Sequence, residues 1–195
     1  MQKKKLSPLA ITWIVIAAVA VIVGIYSIST YNSLQKQNQE VEAQWSQVEN
    51  VMQRRADLVP NLVSSVQGSM KHEDKIFGTI AKARENYNKA NTTTAKAKAD
   101  DQLNSSVGTL VSVIQEQYPT LASNQNVQTL MTQLEGSENR ISVERKRYIE
   151  DVRDYNQSVV TFPKNLFASM MGLGQKPTFK ANPGADEVPK VNLGD

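Results

Sequence analysis

Apolar residues from Leu34 to Val66 recur in alternating steps of three and four. Leu34, Val41, Trp45, Val48, Met52, Val59, Leu62 and Val66 lie on one line, with Asn38 and Arg55 as its polar members. A second series runs Val127, Met131, Leu134, Glu138, Ile141, Arg145, Tyr148, Val152, Tyr155, Val159 and Phe162. A seven-residue period held this long predicts helices that meet along a narrow, coiled-coil-like seam. Between them, Ile76, Ile80, Ala83 and Tyr87 mark one shorter helix, and Leu103, Val107, Leu110 and Ile114 another. Asn91 to Thr94 reads as the turn between these two. Pro119 closes the third helix, and Ser123 or Asn124 supplies a cap for the last.

Two long helices flanking two short ones, with brief connections, predict an all-α body, an antiparallel four-helix bundle with long first and last helices. At about 37 residues each, the long helices would measure roughly 55 Å. Each buried seam residue contributes on the order of 1.5–3 kcal/mol, so such a body needs no cofactor to hold it together.

Ahead of the body, Leu6 to Ile28 contains no charged side chain. About 20 helical residues span a hydrocarbon core, so this stretch predicts a transmembrane helix. Ser7 and Pro8 suit its start, and Trp13 and Tyr26 suit the two interfaces. A cleaved signal peptide is the alternative, but the apolar run is long for a signal core and no small-x-small site closes it. Lys3, Lys4 and Lys5 precede the span, while only Lys36 follows it closely. The positive-inside rule therefore places the N-terminus in the cytoplasm and the bundle outside.

After Pro163 the period fades. "GLGQKPTFKANPGADEVPKVNLGD" is rich in Gly, Pro and polar residues and reads as a largely disordered tail, with a short linear ligand for a partner as the alternative. The expected organisation is a basic tail over 1–7, the transmembrane helix over 8–29, the bundle over 30–165 and a flexible tail over 166–195.

Composition narrows the chemistry. There is no cysteine, which removes disulfides, thiolate nucleophiles, Cys-held metal and an N-terminal lipidated cysteine. The formal charge of +3 resides in the three leading lysines, so the rest of the chain is neutral and offers no basic field for nucleic acid. With one histidine, His72, the paired Glu-x-x-His motifs of a bundle di-iron site cannot be assembled. His72 reads with Glu73 and Asp74 as a helix junction whose acids favour the next N-terminus, a pH-sensing role being the alternative. No catalytic residue, cofactor site or metal site is called for.

The polar residues on the seams are the more informative ones. With the long helices antiparallel and their ends level, Arg55 falls within about one turn of Glu138, which predicts an ion pair inside the bundle. Arg145 is expected to find Glu49 or a backbone carbonyl. Within "RRADLVPNLV", Arg55, Val59 and Leu62 point inward while Arg54, Asp57 and Asn61 lie off the seam. Pro60 lacks an N–H and crowds the carbonyl of Ala56. Because the seam keeps its phase across Pro60, a kink within one helix is expected rather than a break.

Taken together, "YNSL" at Tyr31, Trp45, "RRADLVPNLV", "HE" at His72, "YPTL" at Tyr118, "ENRI" at Glu138, Arg145, Tyr148, "YN" at Tyr155 and Asn156, "FP" at Phe162 and "ADEVPKV" near the end carry a likeness. Through them the chain resembles the LemA family of bacterial membrane-anchored helical proteins. The likeness departs at Ile149, where the family usually has Asn, and near Val127, where it often has an aromatic residue. It implies an anchor followed by a four-helix bundle without an established catalytic activity. It also implies a body often placed in the cytoplasm, contrary to the lysine argument.

The reading is therefore a non-enzymatic, membrane-anchored scaffold or interaction protein of the bacterial cell envelope. Its partners are the membrane itself and an unidentified protein, with homo-oligomerisation left open. A signal-transmitting stalk that works through another subunit is the rival, because no Gly or Pro interrupts the chain between Gly24 and Pro60. An enzyme is the third class.

Overall fold

A computed structural model of the chain describes residues 8–179. The basic segment 1–7 and the stretch 180–195, with "ADEVPKV", lie outside the described residues. The described residues form helices and their connections, with no strand among them: α1 (Pro8–Val66), α2 (Asp74–Lys89), α3 (Thr93–Gln117), α4 (Pro119–Ala122), α5 (Gln125–Val160) and α6 (Lys164–Met170). They divide into two compact units, one built from residues 8–43 with Glu150–Lys176, the other from Gln44–Ile149 with residues 177–179.

In the first unit, the N-terminal part of α1 carries exposed apolar side chains all round, among them Leu9, Trp13, Ile16, Val19, Ile22 and Ile28. By length and composition, it is the one helix among the described residues apolar enough to cross a membrane. Beyond it, Leu34 and Val41 of α1 are buried, as are Val152, Tyr155 and Val159 of α5 and Ala168 of α6.

In the second unit, Val48, Met52, Val59, Leu62 and Val66 of α1 are buried along the expected seam, as are Val127, Leu134, Ile141 and Tyr148 of α5. Hydrogen bonding from Gln44 to Glu144 and the contact of Arg55 with Glu138 show these parts of α1 and α5 running in opposite directions. The helices α2 and α3 add Ile80, Ala83 and Tyr87, and Leu103, Val107, Leu110 and Ile114.

Local chemistry sets the boundaries. Asn124 Oδ1 accepts from the backbone N–H of Asn126 (3.0 Å) and Val127 (3.3 Å), capping α5. Thr92 caps α3 by accepting from Ala95 N at 3.2 Å, so the turn before α3 ends two residues earlier than the run of threonines implies. In α2 the buried residue of the first turn is Phe77 rather than Ile76. Phe162, expected on the α5 seam, is 76% exposed because α5 ends at Val160 and the chain turns before the period reaches it.

The helix α1 continues through Pro60 to Val66. A proline in a helix interior removes the N–H that would bond the carbonyl four residues back. That carbonyl, on buried Ala56, instead accepts from Arg84 Nε of α2 at 3.4 Å. On the outer face, the carbonyls of Pro60 and Asn61 accept from the hydroxyls of Ser64 (2.7 Å) and Ser65 (2.8 Å).

If Arg84 compensates for the proline, the two residues are coupled. Arg84→Ala is expected to destabilise the protein more in the wild-type background than in Pro60→Ala, by roughly 0.5–1.5 kcal/mol, the net worth of one hydrogen bond. Denaturant unfolding of the four variants measures this; strict additivity would show that the contact does not serve the orphaned carbonyl.

Candidate functional site

The second unit holds charged groups in its interior. Arg55 is 1% exposed and Asp100 fully buried. Arg55 Nη1 donates to Glu138 Oε2. Its Nη2 lies 2.5 Å from Asp100 Oδ2 and also donates to the Asp100 carbonyl at 3.1 Å. Arg145 completes the cluster through Nη2 to Asp100 Oδ2 (2.9 Å) and Nη1 to Asp101 Oδ1 (2.7 Å). Three helices, α1, α3 and α5, thus meet at one carboxylate.

This arrangement corrects one expectation. Arg145 pairs with Asp100 and Asp101 rather than with Glu49, whose carboxylate lies 3.8 Å from Lys96 Nζ. Asp100 had a signal of its own, because it stands three residues before Leu103 on the series that continues through Val107, Leu110 and Ile114.

Burial pushes the Asp100 carboxyl above its ordinary range, against the opposing pull of Arg55 and Arg145. Asp100 Oδ1 and the Nε of both arginines face no hydrogen-bond partner among the described residues. Beside the cluster, a groove of about 700 Å³ is lined by Arg55, Asn104, Gly108, Met131, Glu135 and Glu138. Tyr87 is also fully buried, with Lys96 Nζ 4.0 Å from its ring centroid, and burial pushes its phenol up so that it stays protonated. The cluster pairs two arginines with carboxylates from neighbouring helices, a geometry that fixes where those helices meet. Among the described residues, no group of three His, Cys, Asp or Glu is placed to hold a metal ion.

The same unit contains an aromatic clasp that the sequence pattern does not announce. Phe179 stands against Trp45 (ring centroids 5.9 Å apart) and Tyr148 (5.4 Å), while Trp45 and Tyr148 meet edge-on at 5.4 Å. The Arg145 guanidinium lies 4.9 Å from the Phe179 ring centroid, and the Tyr148 hydroxyl donates to the Pro177 carbonyl at 3.2 Å. The only hint was a lone aromatic in a polar stretch.

In the first unit, Asn156 grips the backbone of Lys176 at both ends. Its Nδ2 donates to the Lys176 carbonyl at 2.9 Å and its Oδ1 accepts from the Lys176 N–H at 2.7 Å. Lys176 Nζ reaches Glu42 at 3.1 Å and lies 5.6 Å from the ring centroid of buried Tyr155. Residues 176–179, read in sequence as part of a flexible tail, are therefore held by side chains in each unit.

The remaining sequence candidates lie on the surface. Arg54, Asp57, Asn61 and His72 are exposed and Pro60 is half-buried. Asp57 accepts from Gln53 Nε2 at 2.9 Å. Glu73, half-buried before α2, accepts from the Tyr118 hydroxyl at 3.4 Å.

Removing one partner of a buried ion pair leaves an uncompensated charge, whereas replacing both by apolar residues is far better tolerated. Asp100→Ala is expected to destabilise the protein by about 3–5 kcal/mol, and Arg55→Leu with Asp100→Leu by less than that single change. Chemical denaturation followed by circular dichroism measures both. A double variant that loses the sum of two separate costs would show that the charges do not act as a unit.

Curated relatives cover most of the chain. The chain is 27% identical over 182 residues to two proteins of Paramagnetospirillum magneticum, Magnetosome protein MamQ 2 and Magnetosome protein MamQ 1, covering 80% of this chain and 66% of each relative. It is 25% identical over 182 residues to Magnetosome protein MamQ of Magnetospirillum gryphiswaldense, with the same coverage. The chain thus spans just under two thirds of the length of these relatives. Residues 44–193, which include the charge cluster, the clasp and Asn156, match the LemA family, and the chain belongs to it.

Proposed function

We propose that this protein is a single-pass, membrane-anchored helical scaffold that presents an interaction surface and catalyses no reaction. The observation that carries this reading is α1, whose exposed apolar segment continues without interruption into the helix that supplies the seam residues Leu34 to Val66. Exposed apolar side chains all round a helix are stable in lipid and not in water. The body is read as an antiparallel four-helix bundle of α1, α2, α3 and α5, with the division at 1–7, 8–29, 30–165 and 166–195 as its domain plan. The charge cluster supports a non-catalytic role, since its arginines are engaged by carboxylates.

The three leading lysines favour a cytoplasmic N-terminus in the bacterial inner membrane, with the body on the outer side. The uninterrupted α1 also favours a second reading, a stalk that passes a piston or rotation to a partner subunit.

The absence of cysteine makes topology directly testable. A single cysteine introduced at exposed Thr109 is expected to react with a membrane-impermeant maleimide in cells whose inner membrane is intact. Labelling only after lysis would place the body in the cytoplasm. Crosslinking in the same cells should trap the body with a partner protein. A stoichiometric bound metal, or a strong small-molecule shift of the purified chain, would overturn the non-catalytic reading.

A further inference from the structure

The short helix α6 exposes apolar side chains beside the end of the apolar segment. Phe162, Leu166 and Met170 are 76%, 56% and 85% exposed, whereas Ala168 is buried. Leu166 and Met170, four residues apart, share a face of α6, and Phe162 lies in the turn just before it. Gly172, at φ 67°, closes α6, with Leu173 N donating to Ala168 O (2.9 Å) and Gly172 N to Ser169 O (3.2 Å), a Schellman ending.

The neighbour of α6 fixes its depth. The Phe167 ring stands 6.0 Å, centroid to centroid, from that of Tyr26. Twenty residues from Leu9 to Ile28, at about 1.5 Å each, cover a hydrocarbon core of about 30 Å, so Tyr26 lies at the headgroup level where its amphipathic ring is favoured. Because Phe167 touches that ring, α6 sits at the same level with its apolar face open. From Thr161 to Gln175 the only charged residue is Lys164. A cationic, acid-free apolar segment matches an anionic lipid surface, where acyl chains receive the apolar face and phosphates the lysine.

We infer that Phe162 to Leu173 is a second membrane contact, an interfacial segment whose Phe162, Leu166 and Met170 insert between headgroups and acyl chains beside the span. This rests on the reading of the N-terminal part of α1 as a transmembrane helix. It turns a simple tether into a two-point attachment that restrains rotation of the first unit about the span.

The test uses full-length single-cysteine variants, Phe162→Cys, Leu166→Cys and Met170→Cys, with Val19→Cys reporting the span and Gln39→Cys an exposed position beyond it. Each is labelled with an environment-sensitive fluorophore and reconstituted into phosphatidylethanolamine–phosphatidylglycerol vesicles. Quenching by a lipid-borne nitroxide near the headgroups, and for the label at 19 by one near the end of an acyl chain, is compared with quenching by aqueous iodide. The expected result is that labels at 162, 166 and 170 are quenched severalfold more by the lipid nitroxide than by iodide, with the reverse at 39. Iodide quenching at 162, 166 and 170 equal to that at 39, with the label at 19 lipid-quenched, would overturn the inference and leave the span standing. Labels at 162, 166 and 170 shielded from both quenchers would show a protein covering this face and would also overturn it. Failure of lipid quenching at 19 would remove the span itself and the inference with it.

Discussion

The burial of Arg55 constrains the second unit more tightly than any apolar contact does. A guanidinium cannot be deprotonated to escape its desolvation cost, so it must meet carboxylates wherever the helices place it. Here it meets two, from α3 and α5, and one of them is shared with Arg145. An apolar seam tolerates small slips because one methyl group replaces another. A slip here would leave a charge unpaired in the interior. The cluster therefore specifies which parts of α1, α3 and α5 meet, while the surrounding Val, Leu and Ile residues provide most of the free energy.

Pro60 is a second case of interior polarity resolved by a neighbouring helix. The proline sacrifices one backbone hydrogen bond, and Arg84 restores a partner to the Ala56 carbonyl. Five residues apart in sequence, Arg55 and Pro60 each require a group from another helix, which explains why so polar a stretch lies in the middle of an apolar-periodic segment. The stretch is a meeting point of helices.

The long helices were legible because a seven-residue period repeats over many turns and averages out local irregularity. Arg55 and Glu138 were legible for the same reason, as charged residues standing on apolar lines. Asp100 stands on such a line too, but at the end of an alanine- and lysine-rich stretch where the period is weak, so the line alone points Arg145 to another partner. Phe162 fell off the seam because a period cannot announce where its helix ends. Residues 176–179 were misread for a different reason. They are held by side chains from distant parts of the sequence, Asn156 through a backbone grip and Tyr148 through the Pro177 carbonyl, and no local pattern in a Gly- and Pro-rich stretch encodes such contacts. The polar surface residues Arg54, Asp57, Asn61 and His72 remain candidates for a partner's surface.

That the charge cluster ties α1, α3 and α5 into one cooperative element is tested most directly by native-state hydrogen exchange on the intact chain. Amides around Arg55, Asp100 and Glu138 are expected to be among the slowest in the second unit and to exchange with one common opening free energy. Amides of α3 near Asp100 that open independently of those near Arg55, and well before them, would contradict the account.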